Sequence, residues 1–170
     1  MKRPLLIALA TGFVAWVAIS PPHLVAADRR FSAQLSGSEE VPPSDTDATG
    51  HVNFVVAKEG AELHYRVVVA NIQNIVSVQI QIGPRDQNGS AVATMYGPMA
   101  PGGGRKSGVI AEGTFTSSDL TGDLAGHPLS DLIGNMAAGR TYVNVHTDDG
   151  VPGSGQRGDY PDGEVRGQIH

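Results

Sequence analysis

Between residues 62 and 69 apolar and polar side chains alternate one for one: Leu63, Tyr65, Val67 and Val69 fall on one face, Glu62, His64 and Arg66 on the other. Successive side chains of a strand point to opposite faces, so this is the pattern of a strand with one face on a core. The next segment repeats it, with Val76, Val78, Ile80 and Ile82 on one side and Ser77, Gln79 and Gln81 on the other. Further strands are predicted over residues 31–35, 51–57, 91–95, 109–115, 141–147 and 164–169, with Gly, Pro, Asn and Asp in the gaps. Such spacing predicts an all-β fold, an antiparallel Greek-key-like β-sandwich or flattened barrel. One segment has a different period. Pro128 suits a first helical residue, Leu129, Leu132, Ile133 and Met136 form an i, i+3, i+4, i+7 stripe, and Gly139 suits the end. One short helix near residues 128–138, lying over a sheet edge, is therefore expected. Three long loops remain, residues 36–49, 97–108 and 148–163, and loops of that length are functional or mobile.

Ahead of the first strand the pattern changes again. Lys2 and Arg3 precede an uncharged apolar run from Leu5 to Ile19, Pro21 and Pro22 end any helix, and Val25-Ala26-Ala27 sets small residues before Asp28. A positive start, a short apolar stretch and a small-residue site are what export machinery reads, and the run is too short to span a bilayer. Residues 1–27 are expected to be a cleaved signal peptide, with a single domain over 28–170 and no stable membrane insertion after cleavage. A secreted or periplasmic location follows.

Removing the leader takes two basic residues and no acid, so the formal charge moves from −5 to −7. Nucleic acid and anionic membranes call for clustered Lys and Arg, and this balance argues against both as partners. The chain has no cysteine, which excludes disulfides and thiolate metal sites, so packing alone must hold the domain. Its 22 glycines, with Val and Ile runs between them, fit many short strands joined by tight turns.

Motifs at both ends carry a family resemblance. Phe31-Ser-Ala-Gln-Leu-Ser-Gly37 followed by Glu40-Val41-Pro42-Pro43, the central stretch from Gly83 to Val92 with Asn88-Gly89, and the closing Tyr142-Val-Asn-Val-His-Thr147 and Pro161-Asp-Gly-Glu-Val-Arg-Gly-Gln168 resemble the chordin-type (CHRD) domain. The resemblance covers nearly all of the mature chain and implies an exported β-domain without supplying a reaction. It also implies a comparison. Members of the family commonly carry His-Ile-His on the central strand, which with the later Val-x-Val-His is similar to the ligand arrangement of copper-zinc superoxide dismutases. Residues i and i+2 of a strand share a face, so two imidazoles there can grip a metal with a third from a neighbour. Here that triplet reads Gln79-Ile80-Gln81, and a neutral amide is a poor ligand for copper or zinc. Only His146 remains of such a set.

The candidate metal ligands are thus His146, His64 and His51, each with a plainer reading. His146, beside Tyr142 and Asn144 on a polar strand face, is also readable as a hydrogen-bonded structural histidine. His64 shares a solvated face with Glu62 and Arg66, His51 and His127 stand at element starts, and His170 is a terminal residue expected to be loose. Asp148, Asp149, Asp159 and Asp162 could gather around calcium, but Asp beside Gly is ordinary turn chemistry. Glu164 and Arg166 share a face and are expected to pair with each other or with loop backbone. Asn88-Gly89-Ser90 fits a glycosylation acceptor and, more simply, a turn.

No nucleophile elbow, Cys nucleophile, His-Glu-x-x-His helix or phosphate-cradling loop is present, so the sequence holds no complete catalytic constellation. Two readings remain. The favoured one is a non-enzymatic exported module without cofactor, binding an extracellular or periplasmic protein or glycan through its loops. The alternative is a copper- or zinc-binding, superoxide-dismutase-like protein with a site rebuilt around His146.

Overall fold

The structure, a computed structural model, describes residues 29–154 and 156–170; the expected leader lies outside them. Eight strands follow in chain order: β1 (Arg30–Ser36), β2 (Thr49–Ala57), β3 (Glu62–Gln73), β4 (Ile75–Ile82), β5 (Ala91–Tyr96), β6 (Arg105–Phe115), β7 (Thr141–Thr147) and β8 (Tyr160–Gln168), with helix α1 (Leu129–Ala137) before β7. They form one antiparallel sheet in the order β5-β4-β7-β8-β1-β2-β3-β6. The sheet curls until its two ends touch, and the Tyr65 hydroxyl on β3 donates to the Met95 carbonyl on β5 at 3.2 Å. The result is the flattened, nearly closed all-β barrel that the alternation predicts.

Alternation also says where the core lies. Phe54, Leu63, Val67, Ile80, Val143, Val145 and Val165 are fully buried inside the barrel. The chain crosses from one half of the sheet to the other through a single residue, Asn74, at φ 54°. Asparagine tolerates that left-handed conformation, and its peptide and amide bond Gly104 and the Asp148 N–H, which fixes the corner. All four residues of the helical stripe are buried. Contrary to the sheet-edge expectation, α1 packs on β7, an interior strand, and on the turn at Lys58–Gly60, so it stoppers one end of the barrel. Pro128 is the residue before the helix and not its first. At the other end Gly139, at φ 63°, donates to the Met136 carbonyl and Arg140 to that of Asn135, the paired bonds of a Schellman stop.

Three strand boundaries differ from the sequence reading by four residues, the others by two or fewer. β3 continues four residues beyond Val69, β6 begins at Arg105 inside what reads as a loop, and β8 begins at Tyr160. A register shift lies between Val69 and Ile72, with Asn71 at φ 58°, and another between Val145 and Thr147 opposite β8. An extra residue in one strand breaks the two-residue period that makes a strand legible. The same device between Ile75 and Ser77 puts Ile75, not Val76, into the core. His170 is not loose: its backbone exchanges two hydrogen bonds with Ser32, at 3.0 and 2.8 Å. No helix among the described residues is long and apolar enough to cross a membrane.

Candidate functional site

Three adjacent strands, β4, β7 and β8, set a row of polar side chains on the face away from the barrel core. Register places Gln79 opposite Asn144 and Asn144 opposite Arg166; Gln81 opposite Tyr142 and Tyr142 opposite Gln168; and Ser77 opposite His146. Two loops, residues 37–48 and 83–90, cover this face. Tyr142, Asn144, Glu164 and Arg166 are consequently at most 2% exposed although all four carry polar groups.

Arg166 pins the second loop. Its guanidinium donates to Asn88 Oδ1 at 3.0 Å and to the carbonyls of Pro84 and Gln87 at 2.8 and 3.0 Å, and it lies over the Tyr142 ring. Burial holds its pKa below the usual arginine value, partly opposed by Tyr142, Glu40 and Glu39. Asn88 uses the other end of its amide to donate to the Val41 carbonyl, tying the two covering loops together. Glu164 pins the first loop: its carboxylate accepts from Thr46 and Thr147, and its carbonyl accepts from the Ser44 hydroxyl. Burial raises its pKa, offset by those two hydroxyls. Arg166 therefore binds loop backbone, as one of the two expected pairings had it, whereas the Glu164 carboxylate binds two threonine hydroxyls, one in the loop and one on β7.

The geometry of His146 decides what this face can do with a metal. Its Nδ1 donates to the Pro161 carbonyl at 2.9 Å, which leaves Nε2 as an acceptor, and Gln81 Nε2 donates to it at 3.2 Å. Gln81 also reaches Gln79 Oε1 at 3.4 Å. Gln79, Gln81 and His146 do converge, as strand spacing requires, but an amide N–H stands against the one ring nitrogen able to bind a cation. These residues do not fit copper or zinc. His51 and His64 are elsewhere: β8 and β1 separate β7 from β2, which carries His51, and His64 lies one strand further on. His51 Nε2 bonds Asn53 Oδ1, and His64 contacts Thr114 and Glu62.

Asp148, Asp149 and Asp159 each bring a ligand oxygen within 4.8 Å of the others, while Asp162 stands apart from that group. Asp148 accepts from the Gly150 N–H, Asp149 accepts from the Val151 N–H and, at 2.6 Å, from the Ser154 hydroxyl, and Asp159 lies 2.9 Å from the same hydroxyl oxygen. Asp148 and Asp149, each accepting from the N–H two residues on, show the turn chemistry expected of this set.

Next to His146 opens a cleft of ≈ 360 Å³ between residues 40–45 and 159–163. Its inner wall includes Glu40, which is 5% exposed. Burial raises the Glu40 carboxyl to about 7, against the opposing pull of Arg166 and the Val41 N–H. Glu40 Oε1 and Asn144 Oδ1 are buried without a hydrogen-bond partner. Gly163, at φ 138°, closes over both, and a Cβ there would stand 2.7 Å from Glu40 Oε1 and 2.6 Å from Asn144 Oδ1. Only the absent side chain makes that approach tolerable. The sequence shows Glu40 as one acid among several in a long loop, and nothing in a linear pattern marks it as buried.

The model of the CHRD domain family matches residues 31–169, which takes in all eight strands but for Arg30, the first residue of β1. No curated protein and no solved structure matches the chain.

Proposed function

The chain belongs to the CHRD domain family, and from that premise we propose that it is an exported, non-enzymatic binding module. Its leader, residues 1–27, is cleaved, and the barrel presents the cleft between residues 40–45 and 159–163 to a secreted or periplasmic protein or glycan. The observation that carries this reading is the bond from Gln81 to His146 Nε2. It uses the single imidazole of the polar face in the protein's own hydrogen bonding. The cleft beside it is a concave surface open to a ligand.

Two measurements test the reading. Mature protein loaded with copper or zinc and desalted should retain far less than one ion per chain and show no dismutase activity; a stoichiometric ion lost on His146→Ala overturns it. A photo-crosslinking residue placed at Pro43 should capture a specific partner in the exporting host, and the same residue at Glu112 on β6 should not. Equal capture from both positions, or none from either, removes the cleft as the binding surface. N-terminal sequencing of the exported protein should begin at Asp28, and retention of Met1 contradicts the cleaved leader.

A further inference from the structure

We propose that Asn88 is a self-modification site guarded by the fold. It is inert while residues 83–90 lie against Arg166, and it deamidates through the Gly89 nitrogen once that loop lifts, after which the two covering loops cannot be tied together again. This goes beyond the binding reading and does not depend on it.

The sequence singles the residue out. Of the six asparagines in the chain, only Asn88 is followed by glycine; the others precede Phe54, Ile72, Ile75, Met136 and Val145. Asparagine is a chemically labile side chain, and glycine leaves the next backbone nitrogen unhindered and its dihedrals free. In the reaction that nitrogen attacks the side-chain carbonyl carbon: an N–C bond forms, the bond to Nδ2 breaks, and ammonia leaves with the displaced peptide proton. Water then opens the cyclic imide at either carbonyl, giving aspartate or isoaspartate. Water is the only co-reactant, and nothing is oxidised or reduced. Asn88 is exposed, so water reaches it.

The closed loop blocks the first step at each reacting group. The Gly89 N–H donates to the Tyr142 hydroxyl at 2.9 Å, which engages the attacking nitrogen. Gly89 has no room to swing, because a Cβ there would run into the Ile82 carbonyl oxygen, and the Ser90 carbonyl accepts the Ile82 N–H at 3.0 Å. The Asn88 side chain is held at both ends, Oδ1 by Arg166 at 3.0 Å and Nδ2 on the Val41 carbonyl at 2.7 Å. Arg166 polarises the amide carbonyl and in that respect favours attack. A pinned side chain and an engaged nitrogen, however, cannot turn into the geometry that ring closure needs.

The same bonds give the modification a consequence. Aspartate carries no N–H, so one oxygen at position 88 still accepts from Arg166 while the other faces the Val41 carbonyl, acceptor against acceptor. Isoaspartate adds a carbon to the main chain where Gly89 already touches Ile82. Either product unties residues 37–48 from residues 83–90, so a chain whose loop has opened for long enough stays marked by it.

The test is peptide mapping by mass spectrometry after incubation in mildly alkaline buffer of mature protein, the same protein in urea, and a synthetic peptide of residues 83–92. Native Asn88 should convert at least about tenfold more slowly than in either unfolded form, and the other native asparagines should stay intact. Tyr142→Phe, which frees the Gly89 N–H and keeps the ring under Arg166, should move the native rate toward that of the peptide. Asn88→Asp, which installs one product directly, should exchange the amide hydrogens of residues 37–48 about tenfold faster than the parent, with β2 and β3 unchanged. Native conversion as fast as the peptide's, no conversion in urea, an unchanged rate in Tyr142→Phe, or unchanged exchange in Asn88→Asp overturns the proposal.

Discussion

The guanidinium carbon of Arg166 lies 3.4 Å from the centre of the Tyr142 ring, and neither residue is more than 1% exposed. The Tyr142 hydroxyl, in turn, accepts the Gly89 N–H at 2.9 Å, so ring, cation and loop form one unit. Hydrogen bonds from a charged donor to buried acceptors contribute about 1.5–3 kcal/mol each, not additively. Arg166→Ala should lower the unfolding free energy by roughly 3 kcal/mol or more. Arg166→Lys, which keeps the charge but not the planar fork, should recover only part of that. Urea denaturation measures both, and hydrogen exchange should show residues 84–90 opening before the barrel.

Restoring imidazoles on β4 should restore a metal site. Gln79 and Gln81 share a face with His146 one strand away, so Gln79→His with Gln81→His presents three imidazoles to one point. The double variant is expected to hold one zinc or copper ion per chain and the parent far less than one, and adding His146→Ala to the double variant should abolish the gain. Metal analysis after desalting reads the result directly.

The raised carboxyl of Glu40 gives stability a defined pH dependence. In the unfolded chain the group titrates near 4.5, and in the folded one at about 7. Between these values the native state holds a proton that the unfolded state has lost, so unfolding free energy falls as pH rises from 4.5 to 7 and is level above. The shift corresponds to about 3 kcal/mol. Glu164, also raised by burial, acts in the same direction. Glu40→Gln should therefore flatten most of the slope and be the more stable form above pH 7, as urea titrations at several pH values would show.

Leu132 lies at 0% exposure in the stripe by which α1 stoppers the barrel. Leu132→Ala should cost about 2–5 kcal/mol, the usual range for deleting a buried leucine side chain. A loss well under 1 kcal/mol in denaturant titration would show that the helix contributes little to holding the barrel shut.

The eight strands and the helix were legible because each carries its own period over several residues. The alternation at Leu63, Tyr65, Val67 and Val69 needs no partner to be read. It stops being legible at Ala70 and Asn71, where the bulge adds a residue and the side-chain faces exchange. The polar site was half legible. Spacing alone puts Gln79 and Gln81 on one face, and Tyr142, Asn144 and His146 on another strand's matching face. That Asn144 and Arg166 lie buried does not follow from their own strands, whose polar face reads as solvated. Their burial comes from loops 37–48 and 83–90, far away in sequence, and the groups that fasten those loops, Ser44, Thr46 and Asn88, look like ordinary turn residues. Glu40 is the extreme case: one acid in an acidic loop, distinguished only by a glycine more than a hundred positions later.

The pairing of β1 with β8, extended by the two Ser32–His170 backbone bonds, makes the order in which the chain becomes available matter. A polypeptide emerging amino end first can form the β1–β2–β3 meander early, since those contacts are close in sequence. It has nothing to lay the 37–48 loop against until β8 arrives, because Glu164 supplies the acceptors for Ser44 and Thr46. The two halves of the sheet pair along β1 only once β8 is free. A chain threading through a narrow channel would thus stay incomplete, and easily drawn along, until β8 clears the exit.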